Sequence, residues 1–413
     1  MFVAADALIS SPRRGAMFVY GRLSCATNCR TGASTRRPNM RKISPDNPAL
    51  FHNDLSPETD EILQLDKPAL AKALCLIRSA DSLASLRQSV ANLKNELTND
   101  ASPLRAASTE DVEFSSRHLS EELEQIAASQ TLERAFYYVD RLVKSITEVR
   151  FGDVNDINLN RWKEYSDIYL DSLWNIDRRD SSGVHSAGYW GNFIPQIPYQ
   201  MMRRYTKKGE WVLDTFCGLG TTLIEGRRLG RNTLGIELQP DVAERARHLV
   251  GVEPNEHDVV CDIVTGDSIT IDYNSLLGHY GRKSVQLVIM HPPYFDIIKF
   301  SDEPADLSNA ANVEAFLTLM GKVVDRATAV LDKGRYLALV IGDKYSKGEW
   351  IPLGFLVMNE VLKSGCYTLK SIIVKNFEET TGKRQQKELW RYRALVGGFY
   401  IFKHEYIFVF RKT

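Results

Sequence analysis

The sequence predicts an α/β fold: a doubly wound, mostly parallel sheet with an antiparallel terminal strand, preceded by a helical domain. Three observations carry this. From about Tyr189 onward, short apolar runs alternate with amphipathic stretches, the texture of strands and crossover helices. Between about Asp54 and Asp180, apolar residues instead recur at three-and-four spacing, which is helical. At 413 residues, with 44% hydrophobic and 25% charged residues, the chain is long enough for two or three domains of ordinary globular composition.

Lys plus Arg equals Asp plus Glu, 52 each, so any nucleic-acid contact must come from local clustering. Six cysteines without a Cys-x-x-Cys pair fit a reducing compartment. Cys25 and Cys29 lack a second ligand pair, so no metal site is expected. No stretch approaches the roughly 18 apolar residues of a membrane span. A soluble protein of the cytoplasm is expected, nucleoid-associated if bacterial.

In chain order, residues 1–45 carry eight Arg or Lys against the single acid Asp6. They read as a disordered basic extension or as translation that begins at Met40. An organelle transit peptide is the alternative. Residues 46–185 form the expected helical domain. Leu132, Ala135, Phe136, Val139, Leu142, Val143 and Ile146 mark one helix face. Leu70, Leu74 and Ile77 mark another helix, Ile126 lies on a shorter one, and no internal repeat is evident. From 186 to the end, strands are expected at 211–213, 233–237, 259–264, 285–290, 336–341, 371–375 and 406–410. A helix runs through Val313, Phe316, Leu317, Met320, Val323, Ala327 and Val330. The segment joining the last two strands is too polar for a crossover helix packed on the sheet, so those strands should be antiparallel.

The first expected strand runs into Asp214-Thr-Phe-Cys-Gly-Leu-Gly-Thr-Thr222. Glycines there let backbone approach a ligand, and the amides of a helix start favour polar or anionic groups. Alone, a Gly-x-Gly turn is equally well a tight strand-to-helix connection, and the third glycine of the dinucleotide fingerprint is missing. Other strand ends agree with it, however. Glu237 ends the second strand, where an acid accepts from ribose hydroxyls, and Asp267 ends the third. His291-Pro-Pro-Tyr294 ends the fourth. Polar chemistry at four successive strand ends matches the ligand crevice of an open sheet.

The turn Asp214-x-Phe-x-Gly-x-Gly-Thr-Thr222 together with His291-Pro-Pro-Tyr294 resembles the S-adenosylmethionine-dependent DNA amino-methyltransferases, which methylate cytosine-N4 or adenine-N6. The resemblance covers residues 189 to 413 and includes Asn192-Phe-Ile-Pro-Gln-Ile-Pro198 and the closing strand His404-Glu-Tyr-Ile-Phe-Val-Phe-Arg-Lys412. It implies a Rossmann-like methyltransferase sheet. It places Asp214, Phe216, Gly218, Gly220 and Thr221 around S-adenosylmethionine, with Phe193 and Pro195 closing over the methionine end. Glu237 would hold the ribose and Asp267 would lie near the adenine. His291, Pro292, Pro293 and Tyr294 would be the catalytic turn, and double-stranded DNA the substrate, with a cognate restriction nuclease as a partner protein.

An exocyclic amino group is a poor nucleophile because its lone pair is delocalised into the ring. A side-chain acceptor, a carbonyl fixed by Pro-Pro and an aromatic face for a flipped base are the parts needed to hold and aim it. Family members usually carry Asp, Asn or Ser where this chain has His291. Neutral imidazole also accepts a hydrogen bond and can take a proton. Cytosine-N4 is the expected target atom, with adenine-N6 as the alternative.

Only 23 residues separate Asp267 from His291, too few for a target-recognition domain. Target reading should come from the helical domain or from a basic insertion at about 378–403. Within it, residues 383–403 carry Lys383, Arg384, Lys387, Arg391, Arg393 and Lys403 against the one acid Glu388, interleaved with Trp390, Tyr392 and Tyr400. Basic residues neutralise phosphate and aromatics stack on bases. Carbon-5 cytosine methylation would need a nucleophilic thiolate, and no cysteine follows a proline. Cys217, inside the glycine turn, reads as a small hydrophobe. RNA guanine methylation and a nucleic-acid-binding protein without activity complete the alternatives.

Overall fold

The computed structural model describes residues 61–105, 110–185, 188–189, 191–376 and 387–413, with only the backbone at 387 and 388. The basic leader at 1–45, Lys383, Arg384 and the Lys387 side chain lie outside the described residues.

The first part is built from two β–α–α units. Strand β1 (Ile62–Asp66) leads into helices α1 (Lys67–Arg78) and α2 (Leu83–Leu97); β2 (Asp111–Ser115) leads into α3 (Ser116–Ala127) and α4 (Leu132–Thr147). Each helix starts on a polar cap: Asp66, Ser82, Ser115 and Thr131 each accept from a backbone N–H of the first turn, the pairing such side chains favour. The helix faces expected from spacing are buried: Leu70, Leu74 and Ile77 on α1, Ala135, Val139, Leu142 and Ile146 on α4.

An internal repeat is present here, contrary to the expectation from sequence. Gln64 and Glu113, 49 residues apart, face each other at the centre of the antiparallel β1–β2 pair and are joined by a side-chain hydrogen bond. The same offset carries Leu70 onto Leu119, Leu74 onto Leu123, Ile77 onto Ile126 and Val90 onto Val139, all buried. It also carries the caps Asp66 onto Ser115 and Ser82 onto Thr131. Mostly buried and capping positions repeat, while most exposed residues differ, so the two copies share too few letters to stand out. A two-stranded pair has little stability of its own, and both units close one common core.

The second part is an eight-stranded sheet. Its strands are β3 (Leu173–Trp174), β4 (Trp211–Asp214), β5 (Asn232–Glu237), β6 (Cys261–Thr265), β7 (Val285–Met290), β8 (Leu331–Ile341), β11 (Tyr367–Asn376) and β12 (His404–Lys412). A separate short hairpin pairs β9 (Lys344–Ser346) with β10 (Glu349–Ile351). The order across the large sheet is β3-β11-β12-β8-β7-β4-β5-β6. Pairs within β6-β5-β4-β7-β8 are parallel, whereas β12 runs antiparallel between β8 and β11. All seven expected strands are present, each within a few residues of its expected bounds. The sheet also takes in Leu173–Trp174, which pairs parallel with β11 upstream of the boundary expected at residue 186.

Crossover helices are α5 (Gln196–Tyr205), α6 (Thr221–Leu229), α7 (Pro240–Val252), α8 (Tyr273–His279), α9 (Val313–Val330) and α10 (Leu353–Lys363). A further helix, α11 (Lys387–Gly397), lies between β11 and β12 and exposes Tyr392, Leu395 and Val396. The central strands β4, β7 and the far half of β8 are buried on both faces, as expected when helices cover both sides of a parallel sheet. Strand β4 sits between β5 on one side and β7 on the other. A reversal of strand order at that point opens a crevice at the carboxyl ends of the two strands.

Candidate active site

Strand β4 ends at Asp214 and the chain turns sharply into α6. Gly218 and Gly220 both have left-handed backbone, with φ of +51° and +80°, a region that costs other residues free energy. Gly220 is also sterically required, because a Cβ there would lie 2.9 Å from Val250 Cγ2. Asp214 is completely buried. Its Oδ1 accepts from Phe216 N at 3.0 Å and its Oδ2 from the Thr222 hydroxyl at 2.5 Å. Burial pushes its carboxyl up to about 6, against the pull of those two hydrogen bonds. Both oxygens of Asp214 thus hold the shape of the turn.

Glu237, at the end of β5, closes the turn from the next strand. Its Oε2 accepts from Gly218 N at 3.1 Å and its Oε1 from Gln239 N at 2.9 Å. Burial raises its carboxyl, opposed by the two backbone donors. Asp267 holds its own loop, accepting from Ile269 N at 2.9 Å and the Thr270 hydroxyl at 3.1 Å. Cys217 is buried within the turn, and burial pushes its thiol well up, which leaves no thiolate character.

The segment before α5 links this turn to the next strand end. The Thr221 hydroxyl donates to Asn192 Oδ1 at 2.7 Å. The ring of Phe193, buried, lies 4.8 Å from the His291 ring. Arg179 Nη1 donates to the Phe193 carbonyl at 2.7 Å, and Pro195 caps α5. The sequence gives Asn192 no role beyond its place in a motif, yet it ties the segment to the glycine turn.

At the end of β7, His291 is half-buried and Pro292 buried. His291 Nε2 lies 3.1 Å from the Tyr294 hydroxyl, which donates to Glu405 Oε2 at 2.8 Å. Glu405 Oε1 in turn faces Lys375 Nζ at 3.0 Å, and both of these side chains are buried. Burial lowers the His291 imidazole to about 4; Glu405 pulls it up and Lys375 pushes it down. The Tyr294 hydroxyl is pushed well up by burial. One edge of its ring rests on Gly342, where a Cβ would come within 2.9 Å of Tyr294 Cε2. Phe295, next in the chain, has a φ of +53°, a conformation that non-glycine residues seldom adopt away from turns or functional sites.

The sequence did not single out Glu405 and Lys375. Their signal was a charged residue inside each of two apolar strands, Ile372-Ile-Val-Lys375 and Glu405-Tyr-Ile-Phe408. The structure brings every expected cofactor and catalytic residue to one end of β4, β5, β6 and β7. Arg391 and Arg393 are on α11, exposed, with Arg393 over the Trp390 ring at 5.4 Å. Among the described residues, no helix is long and apolar enough to cross a membrane.

The glycine turn at the carboxyl end of β4 and the His-Pro-Pro-Tyr turn at the carboxyl end of β7 are thus bridged by the segment before α5. The model of a DNA methylase family matches residues 94–248 and 285–413, well over half of the chain. The chain belongs to that N6/N4 DNA methylase family. Its match begins within α2, so it reaches into the helical part, where the sequence motifs show no resemblance. The type II methyltransferase M.MjaII of Methanocaldococcus jannaschii is 35% identical over 75 residues, 18% of this chain and 14% of that protein. The type II methyltransferase M2.DpnII of Streptococcus pneumoniae is 30% identical over 100 residues, 23% of this chain and 34% of that protein. The chain therefore spans about a third or less of these relatives' own lengths. Among solved structures, TrmN from Thermus thermophilus aligns with a TM-score of 0.35 and 16% identity, covering 54% of this chain and 49% of that one. The cofactor of this DNA methylase family is S-adenosylmethionine.

Proposed function

We propose that the protein methylates the exocyclic amino group of a base flipped out of double-stranded DNA at a specific sequence. Cytosine-N4 is the target atom of this reading and adenine-N6 its alternative. The observation that carries it is the bridge between the two turns: Asn192 on Thr221 and Phe193 on His291 hold a cofactor-type loop and a base-holding loop side by side.

The residues present fit S-adenosylmethionine. Without Cβ atoms, the turn at Gly218 is open except for Tyr189, 3.6 Å from where a Cβ would stand. Phe216, Gly218, Gly220 and Thr221 would line the cofactor, while Asp214 shapes the turn. The carboxylate oxygens of Glu237 each keep a lone pair for a ribose hydroxyl. Asp267 stands at the adenine end, and Phe193 with Pro195 at the methionine end. When bound, the cofactor supplies a methyl group on a sulfonium, which is electrophilic.

The chain's own residues make the amino group reactive. Two acceptors that take its hydrogens oppose delocalisation of the lone pair and favour a tetrahedral nitrogen. His291, kept neutral by burial, is one acceptor, and a carbonyl held rigid by Pro292 and Pro293 is the other. The Tyr294 ring, seated against Gly342, is the wall on which the flipped base stacks. Arg391 and Arg393, with Lys383, Arg384 and Lys387, would neutralise phosphates, and the helical part would contribute to target reading. A cognate restriction nuclease is the partner protein this function calls for.

The test is incubation of the full chain with isotopically labelled S-adenosylmethionine and unmethylated DNA, then nucleoside mass spectrometry. N4-methylcytosine is expected. N6-methyladenine would move the target atom, while 5-methylcytosine, label confined to RNA, or no incorporation would overturn the reading.

A further inference from the structure

We infer that Glu405, acting through Tyr294, fixes which nitrogen of His291 carries the proton, so that the imidazole presents its lone pair where an asparagine or aspartate would present a side-chain oxygen. The inference rests on the methyl-transfer reading for its consequence, and on geometry for its cause.

Neutral imidazole has one N–H and one acceptor nitrogen, and neighbouring hydrogen bonds decide which is which. The chain of contacts here has a direction. Lys375 is a donor only, and Glu405, facing it at 3.0 Å with both side chains buried, is a carboxylate with no proton to give. The Tyr294 hydroxyl has a single hydrogen, and it points to Glu405 Oε2 at 2.8 Å. What Tyr294 offers His291 is therefore an oxygen lone pair. His291 Nε2, 3.1 Å away, satisfies that lone pair only as a donor. The opposite tautomer would set two acceptors against each other at that distance.

With the hydrogen on Nε2, the acceptor is Nδ1. That atom is bonded to Cγ, as Oδ1 is in Asn and Asp, so it stands the same number of bonds from the backbone. Nδ1 makes no hydrogen bond among the described residues and is not one of the enclosed polar atoms left unpaired. It is available to an amino hydrogen of the target base. This accounts for a histidine at a position where the family usually has Asp, Asn or Ser. Glu405 comes from β12, 111 residues beyond Tyr294, and is a positioning residue that does not touch the base.

The experiment has two arms. Nitrogen-15 NMR of histidine-labelled full-length protein without DNA should show His291 protonated at Nε2 near pH 7. That bias should disappear in Glu405→Gln and, as a second variant that keeps the ring, in Tyr294→Phe. Kinetics then compare Glu405→Gln in two backgrounds. With His291 it should lower kcat by about tenfold while leaving the cofactor KM nearly unchanged. In the His291→Asn background it should lower kcat by less than about twofold, because an amide oxygen needs no tautomer. A wild-type His291 protonated at Nδ1, or equal losses in both backgrounds, would overturn the inference. If no variant methylates DNA but the tautomer follows Glu405, the transfer reading fails and the control of His291 stands.

Discussion

Asp214 and Glu405 each bury a carboxylate beside the same crevice, and they do so by opposite means. Asp214 lies in the parallel half of the sheet. Its partners, Phe216 N and the Thr222 hydroxyl, stand two and eight residues away, and neither is charged. The consequence is a carboxyl pushed up to about 6. Glu405 lies in the antiparallel half. Its partners are the Lys375 ammonium and the Tyr294 hydroxyl, both from distant parts of the chain. A buried charge is costly unless it is paired. A strand-to-helix turn can soften that cost with its own amides but supplies no cation. An antiparallel neighbour brings a whole side chain alongside, so it can. The parallel half therefore makes a self-contained loop, and the antiparallel half makes a network that depends on remote parts of the fold.

The sharpest way to break the self-contained half is Gly218→Asp. The backbone there is left-handed, and Glu237 Oε2 lies 3.1 Å from Gly218 N. A new carboxylate would meet strain and a like charge together. Cofactor affinity should fall on the order of a hundredfold, about 2.8 kcal/mol, with DNA affinity unchanged. Calorimetry on the folded variant checks it, and unchanged cofactor affinity would remove Gly218 from the site.

Tyr294 tests the remote half. Tyr294→Ala removes the ring and should lower turnover most, since base stacking contributes roughly 1–3 kcal/mol. From the sequence alone, Tyr294→Phe would be much milder than Tyr294→Ala because it keeps the ring. The structure changes that expectation: the hydroxyl joins His291 to Glu405, and its loss leaves a buried carboxylate short of a partner, a cost of about 1–3 kcal/mol. Turnover should fall in both variants, with cofactor affinity preserved. A fully active Tyr294→Phe would mean the network is ornamental to catalysis.

The same contrast explains what could be read from the sequence. Asp214, Gly218 and Gly220 were legible because they share one contiguous motif, and Glu237 because it ends the next strand. Seven strands were legible because each is a short apolar run between breaks. Glu405 and Lys375 were not, because they meet through the register of the antiparallel β11–β12 pair, and the sequence indicates the direction of those strands but not their register. The β–α–α repeat escaped notice for a related reason. Burial constrains only one face of each element, and exposed positions such as Gln64 and Glu113 are free to diverge. Leu173–Trp174 is too short a strand for alternation to show.

A third prediction concerns α11, which joins β11 to β12 in the antiparallel half. Arg391 and Arg393 are exposed, beside exposed Tyr392 and Tyr400. Replacing both arginines by Ala should weaken DNA binding and flatten its salt dependence by about 0.9 log unit for each phosphate no longer neutralised. The weakening should be uniform across sequences, because phosphate contacts position the duplex without reading it. An unchanged salt slope would move DNA contact to the β–α–α pair.

The mildest change should be Asp214→Asn, and it probes the parallel half's way of burying a carboxylate. Asparagine keeps an oxygen for Phe216 N and offers an N–H to the Thr222 oxygen, so the turn should survive and cofactor affinity should change by no more than about threefold, under 1 kcal/mol. Stability should respond instead. The folded carboxyl titrates at about 6, above the ordinary aspartate value of 3.8, so the folded state holds its proton more tightly than the unfolded chain does. Its contribution is fully present below the unfolded value and is lost as pH rises through about 6. The amide has no such loss. Asp214→Asn should therefore melt a few degrees above wild type near pH 8, and the gap should close as the pH is lowered toward 4. A gap that stays constant with pH would show that the Asp214 carboxyl titrates alike in the folded and unfolded chain, and the contrast with Glu405 would fall.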